Sequence, residues 1–232
     1  MSIRNFLVKL TQHVGLYQYA VNIDTRIREH KEKKAMHQYG LETLVEADKV
    51  ISASGGKMFL VFGTLLGAYR DHGFIPHDCD IDVGILDIEK PENLEAKMAA
   101  SGFRRVRQLY IKESGRVIED RFERKGVGID MYYLFSDGRY DGQYYAYLTY
   151  RHETKDWREA NASDGFPTII KAHEPTSFSR TDFLGHQFYI PDKAEVWLRY
   201  LYGDGFMTPD PSWSMGDHKT RSFPTGERVF RR

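Results

Sequence analysis

The sequence predicts an α/β (α+β) fold with helical additions at its amino and carboxyl ends, and three observations predict it. Residues 57–70 read as a short strand that turns through glycine into a helix. Residues 127–135 alternate apolar and other residues at a period of two, the mark of a strand with one face in a core. Apolar residues at helical spacing mark both flanks.

In chain order, Ile3, Phe6, Leu7, Leu10, Val14, Tyr17 and Val21 place one apolar stripe along an amino-terminal helix. Residues 1–35 carry seven Lys/Arg against three acids, an excess suited to weak contact with an anionic membrane surface or to a solvated basic face. A second helix over 37–53 carries Leu41, Leu44, Val45 and Ile51, and the Ser-Gly-Gly run at 54–56 ends it. A strand over 57–62 follows, then a helix through Arg70, a loop at 72–76, and a strand over 80–85. Pro91 starts a helix near 92–101, and strands fit 103–111, 117–124, 126–135 and 144–150. The polar stretch 151–180 shows no periodicity that places it. Asp192 and Glu195 have the spacing of a capping box, before a helix whose stripe is Trp197, Tyr200 and Leu201 and whose stop is Gly203. No linker, repeat or low-complexity tract divides the chain, so the expected units are an amphipathic segment, 1–36, and one domain, 37–232.

Composition excludes several classes of function. Lys+Arg and Asp+Glu both number 33, so no global basic field draws the chain to nucleic acid. A single cysteine, Cys79, excludes an internal disulfide framework and a cysteine-based zinc cluster. No run approaches the roughly 18 apolar residues of a membrane span, and the first residues lack a small-residue cleavage site. A reduced, cytoplasmic protein is expected, with its amino-terminal segment either docked on the domain or weakly held at the inner face of the membrane.

The chemistry concentrates in 63–85. Residues two apart on a strand face the same way, so Asp78, Asp80 and Asp82 are expected on one side while Ile81 and Val83 face the core. Two carboxylates about 6.5 Å apart repel by about 2.5 kcal/mol at an effective dielectric of about 20. A hard divalent cation with oxygen ligands is the natural offset; solvent-facing acids on an edge strand are the plainer alternative. Gly63 and Thr64 form a strand-to-helix turn whose free backbone N–H groups suit a phosphate, with the Thr64 hydroxyl as a further donor. Arg70 and Lys57 are candidate side-chain cations for the same phosphate. Asp130 sits mid-strand among apolar residues and needs a partner. Beside the first acids it would complete a metal cluster or accept a proton from an attacking hydroxyl; a salt bridge to Arg121 or Arg124 is the other reading.

These residues carry a resemblance. The wording GTLLGAYR at 63–70, GFIPHDCDIDVGI at 73–85 and GVGIDMYY at 126–133 resembles the LicD family, which includes bacterial phosphocholine transferases and the fukutin-type sugar-phosphate transferases. HQYGLE at 37–42, Ile190-Pro191 and Trp197, Leu198, Tyr202, Gly203 and Asp204 extend the likeness over roughly 37–210. The resemblance implies a nucleotidyltransferase-like mixed sheet flanked by helices. It also implies Mg²⁺ (or Mn²⁺), a CDP-activated donor such as CDP-choline, CDP-ribitol, CDP-glycerol or a CMP-phosphonate, a glycan acceptor, and release of CMP. By matching position, Asp80 and Asp82 hold the metal, Asp130 is the third acid, and Gly63, Thr64 and Arg70, with Asp78 beside them, form the donor site. Cys79 stands where many members carry an acid, but strand geometry turns it away from Asp80 and Asp82. His77 is either a contact for a phosphate or the acceptor or an uninvolved loop residue, and His152, His173, His186 and His218 show no metal-ligand spacing. Nucleotidyl transfer to a small molecule or RNA end, and a non-catalytic nucleotide- or glycan-binding scaffold, are the competing functions.

Overall fold

The computed structural model describes residues 17–149, 157–210 and 222–232, with the backbone alone for 17–26 and 222. The expected helical stripe over the first 16 residues, the start of the polar stretch, His152 and His218 lie outside the described residues.

The described chain opens on one continuous helix, α1, Tyr17–Ala53. It runs unbroken through the junction expected at residue 36, because no proline interrupts it and its Lys/Glu-rich stretch is satisfied by solvent. Among the described side chains of α1, from residue 27 on, an apolar face is buried through Met36, Leu44, Ala47, Val50 and Ile51. Then come β1 (Met58–Leu60), the short helix α2 (Phe62–Leu66) and a π-turn at Gly67–Asp71. Strand β2 spans Asp80–Leu86, and helix α3 spans Leu94–Ala100. Strands β3 (Arg104–Ile111), β4 (Val117–Arg124), β5 (Val127–Leu134) and β6 (Tyr144–Thr149) fall where the alternation put them.

The unplaced stretch yields helix α4 (Trp157–Ala162), β7 (Phe166–His173) and β8 (Phe178–Phe183), followed by β9 (His186–Pro191). Helix α5, Ala194–Tyr202, ends before Gly203 as expected. Its capping box does not form: Asp192 accepts from Ser177, and Glu195 accepts from Arg199 and Tyr69. The chain closes on β10, Ser222–Arg231, a strand that the sequence did not announce.

All ten strands join one mixed sheet in the order β6-β7-β10-β3-β4-β5-β2-β1-β9-β8. Two pairings are parallel, β2 with β5 and β1 with β9, and the rest are antiparallel. The outer part curls back on itself, for Phe135 just after β5 bridges to Tyr145 on β6. Its ring packs 5.6 Å from Tyr145 and 5.8 Å from Tyr147.

The two sheet faces carry different loads. Ile81, Val83, Ile129, Met131 and Tyr133 face one core with the buried turns of α1. Each such side chain contributes about 1.5–3 kcal/mol by leaving water. Phe59, Val61, Phe62, Tyr132, Leu134, Trp197 and Leu201 form a second cluster on the opposite face, where α2 and α5 pack. Every residue of β5 is therefore buried, Asp130 included. Among the described residues no helix is long and apolar enough to cross a membrane.

Candidate active site

The site begins where β1 turns into α2. Phe62 takes a left-handed backbone conformation, φ +44°, which costs a non-glycine residue on the order of 1–2 kcal/mol. Its buried ring, edge-on to Tyr132 with centroids 4.7 Å apart, holds it there. The turn aims the Gly63 N–H at the Asp82 carboxylate, to which it donates at 3.1 Å. A Cβ on Gly63 would lie 2.8 Å from Asp78 Oδ2 and 3.3 Å from Asp82 Oδ2, so the missing side chain lets both carboxylates close on this turn. The expected free N–H is therefore taken by Asp82.

Thr64 is buried, and its hydroxyl accepts the Asp82 backbone N–H at 2.8 Å. It latches α2 to β2. Arg70 forms a two-pronged pair with Asp71, at 2.9 and 2.8 Å, and reaches the Phe206 carbonyl at 3.3 Å. The Asp71 contact holds its guanidinium above the ordinary range. Lys57 lies over the rings of Phe178 and Tyr189, outside the cleft described next.

A cleft of about 910 Å³ opens here, lined by Gly63, Arg70, His77, Asp78, Asp80 and Asp82. Its apolar wall is Phe62, Leu66, Phe74, Tyr202 and Phe206. Asp78 lies just ahead of β2 rather than on it, yet borders the same cleft as Asp80 and Asp82. Burial lifts the Asp78 carboxyl to about 6. Asp82 is pushed well above the usual carboxylate range by burial, then by Asp80, Asp130 and Asp78. Burial also raises the Tyr202 phenol, with Asp82 and Asp78 adding to it, so the ring stays protonated. Cys79 is half-buried, raised by burial, and absent from the lining.

The parallel register of β2 and β5 sets Asp82 opposite Asp130 and Asp80 opposite Gly128. Asp130 thus enters the acid neighbourhood, but it borders the cleft nowhere, and arginines hold both its oxygens. Arg121 Nη1 donates to Asp130 Oδ2 at 2.5 Å and to Asp80 Oδ2 at 2.9 Å. Arg107 Nη2 donates to Asp130 Oδ1 at 3.2 Å and also binds Glu119. Burial, followed by Glu119, lifts Asp130 to about 7 against the pull of the two arginines. The salt bridge foreseen for Arg121 is present, whereas Arg124 pairs with Glu42. Among the described residues no three His, Cys, Asp or Glu side chains stand together as a metal-holding group.

Sequence reasoning named Arg121 as a partner for Asp130 but not for Asp80, and it missed Arg107, Tyr202 and Phe206 as neighbours of these acids. The arginines had a signal: both lie on strands with apolar partners on the other face, at positions where a charge needs an opposite charge.

A mixed sheet whose strand-turn-helix and Asp-x-Asp strand share one cleft defines a nucleotidyltransferase-type domain. Residues 55–193 match the family described as LicD/FKTN/FKRP, nucleotidyltransferase domain, and the chain belongs to that family. The match covers more than half of the chain and starts later than the likeness read from sequence motifs. An uncharacterised protein of Caenorhabditis elegans is 25% identical over 74% of this chain and 43% of its own length. One of Rickettsia typhi is 32% identical over 35% of this chain and 26% of its own length. A Rickettsia prowazekii protein is equally identical over 35% of this chain and 30% of its length. The chain thus spans less than half the length of these relatives.

Proposed function

We propose that the chain is a metal-dependent transferase. It moves a phosphocholine-, polyol-phosphate- or aminoalkylphosphonate-like group from a CDP- or CMP-activated donor to a hydroxyl of a surface glycan, and releases CMP. The observation that carries this reading is the convergence of Asp78, Asp80 and Asp82 on one cleft beside Gly63 and Arg70. The cleft's volume is within the range of small-molecule sites, and its aromatic wall offers a surface for the donor's base or the acceptor's ring.

Asp80 and Asp82 fit Mg²⁺ or Mn²⁺. They share one side of β2, and burial with the neighbouring acids disfavours the ionised form of Asp82, a penalty that a bound cation would relieve. Mg²⁺ commonly takes only one or two carboxylates, with waters and substrate phosphates completing its shell. Bound there, the cation would neutralise the donor diphosphate and the departing CMP. The other roles belong to the chain. Thr64 and Gly63 fix Asp82, Arg70 gives the cleft a cationic wall, and Tyr202 offers a hydroxyl donor. In the transfer the acceptor oxygen bonds to phosphorus as the bond to the CMP oxygen breaks, and the acceptor proton passes to a carboxylate. We assign that proton to Asp78, which borders the cleft, and assign Asp130 to hold Asp80 through Arg121.

Purified protein with Mg²⁺, each of CDP-choline, CDP-ribitol, CDP-glycerol and CMP-aminoethylphosphonate, and candidate glycans tests the reading. Acceptor-dependent CMP release supports it. Pyrophosphate release from a nucleoside triphosphate would favour nucleotidyl transfer, and donor binding without turnover a scaffold. Weak contact with an anionic membrane face is part of the same proposal, carried by exposed Arg28, Lys31, Lys33 and Lys34 of α1 at about 1 kcal/mol per residue near the surface. Flotation on anionic but not neutral liposomes is the expected result.

A further inference from the structure

A row of four charged residues crosses the sheet beside the cleft. Arg107, Arg121, Asp130 and Asp82 are successive cross-strand partners on β3, β4, β5 and β2. Two arginines directly opposite each other destabilise a sheet unless acids flank them. Here Glu119 and Asp130 take Arg107, and Asp130 and Asp80 take Arg121.

Gly128 makes the seat for the second arginine. It is the cross-strand partner of Asp80, and a Cβ there would lie 2.3 Å from Arg121 Nη2 and 2.8 Å from its Cζ. The missing side chain lets the guanidinium lie flat over β5, where one nitrogen, Nη1, donates to both Asp80 and Asp130. The carboxylate it takes from β2 belongs to the pair that borders the cleft. Arg107, one strand further out, touches Asp130 and Glu119.

We propose that Arg121 is the internal counter-cation of the acid cluster: it holds Asp80 when no divalent cation is bound, and it competes with that cation for the Asp80 carboxylate. This rests on the reading that Asp80 and Asp82 take a divalent cation. Arg121 is then a positioning residue with two tasks. It keeps the metal-free protein from carrying unbalanced acids at its centre, and it weakens cation binding until the donor phosphates add their own ligands. Linkage makes the effect reciprocal: whatever loosens Arg121 from Asp80 tightens the cation, by the same factor.

The test is Mg²⁺ titration by calorimetry with no donor present, together with melting curves with and without Mg²⁺, on wild type, Arg121→Gln and Gly128→Ala. Arg121→Gln is expected to bind Mg²⁺ about tenfold more tightly, to melt lower without metal, and to regain more on adding Mg²⁺ than wild type does. Gly128→Ala keeps every charge but unseats the guanidinium, so it is expected to move the same way by a smaller factor. A tighter Gly128→Ala also shows that the gain is not the mere loss of a positive charge. Should Arg121→Gln fail to fold without metal, Gly128→Ala carries the comparison alone. A purely structural role for Arg121 would lower melting and leave Mg²⁺ affinity unmoved, which overturns the proposal, as does weaker Mg²⁺ binding in Gly128→Ala. If wild type binds Mg²⁺ and releases CMP while the variants bind Mg²⁺ equally, only this inference falls. If neither wild type nor variant binds Mg²⁺, the cation reading falls with it.

Discussion

Thr64 and Asp82 are joined backbone to side chain: the Asp82 N–H donates to Thr64 Oγ1 at 2.8 Å, and the neighbouring Gly63 N–H returns a bond to the Asp82 carboxylate at 3.1 Å. This reciprocal latch fixes the first helix turn against the acid strand, so Thr64 acts on Asp82 from behind rather than on a ligand. Thr64→Val leaves a buried N–H without its acceptor, at a cost of about 1–3 kcal/mol. The expected result is a lower melting temperature and about tenfold slower CMP release, an activity loss equal to about 1.4 kcal/mol. Thr64→Ser keeps the oxygen and is expected to restore most of both.

The two strand acids should respond differently to neutralisation. Asp82 is half-buried and raised by its surroundings, so Asp82→Asn removes a charge that the fold disfavours. Its melting temperature is expected to hold or rise while turnover falls about 10³-fold, close to 4 kcal/mol of transition-state stabilisation. Asp80 has an arginine partner, so Asp80→Asn should lose a similar amount of turnover and gain no stability. Retained turnover in both variants with unchanged Mg²⁺ dependence would sink the assignment of the pair.

Asp48 on α1 gives a pH-dependent prediction away from the cleft. One of its carboxylate oxygens is buried with no hydrogen-bond partner among the described residues, and burial raises its pKa against a weaker pull from Arg180. Below its ordinary value of 3.8 both states hold the proton and nothing is lost. As pH rises past that point the unfolded chain releases its proton first, so Asp48's contribution to stability falls until the raised folded value is passed, then levels off. Asp48→Asn is expected to melt higher than wild type at pH 7, with the gap closing as pH falls towards about 4. A constant gap across that range would mean that the gain comes from something other than ionisation.

The acids were legible in the sequence because a period of two needs only local information: Ile81 and Val83 inward forces Asp80 and Asp82 outward. The same rule found β5 and its apolar face. It could not find β10, whose Pro224 and Gly226 argue against a strand and whose pairing with β7 slips between Pro224 and Arg228. Nor could it seat β8, half of whose residues face solvent. At the site, what stayed hidden was the identity of charge partners. Asp130 needed a cation, but choosing Arg107 and Arg121 over Arg124 depends on strand order, which no local pattern carries. The pairing of Arg70 with Asp71, its own neighbour, was hidden as well.

Asp130 supplies the last prediction. Burial raises it as it raises Asp82, but Asp130 has two arginine partners, whereas Asp82 has none among the described residues. Two partly buried arginines, each with about one-fifth of its side chain exposed, depend on it. Removing its charge leaves them with Glu119 and Asp80 alone, and breaking a buried ion pair from one side costs on the order of 3–5 kcal/mol. Asp130→Asn should therefore lower the melting temperature by about 6–20 °C, given about 2–4 °C per kcal/mol for a chain of this size. Turnover is expected to fall as well, because Arg121 freed from Asp130 draws harder on Asp80. Donor binding, measured by calorimetry, should persist, since Asp130 does not border the cleft. If Asp130 were itself the proton acceptor, the variant would lose turnover while keeping its melting temperature. As a direct metal ligand, its loss would take Mg²⁺ and donor affinity down together. A variant that melts like wild type and turns over at full rate would remove Asp130 from both the scaffold of the site and its chemistry.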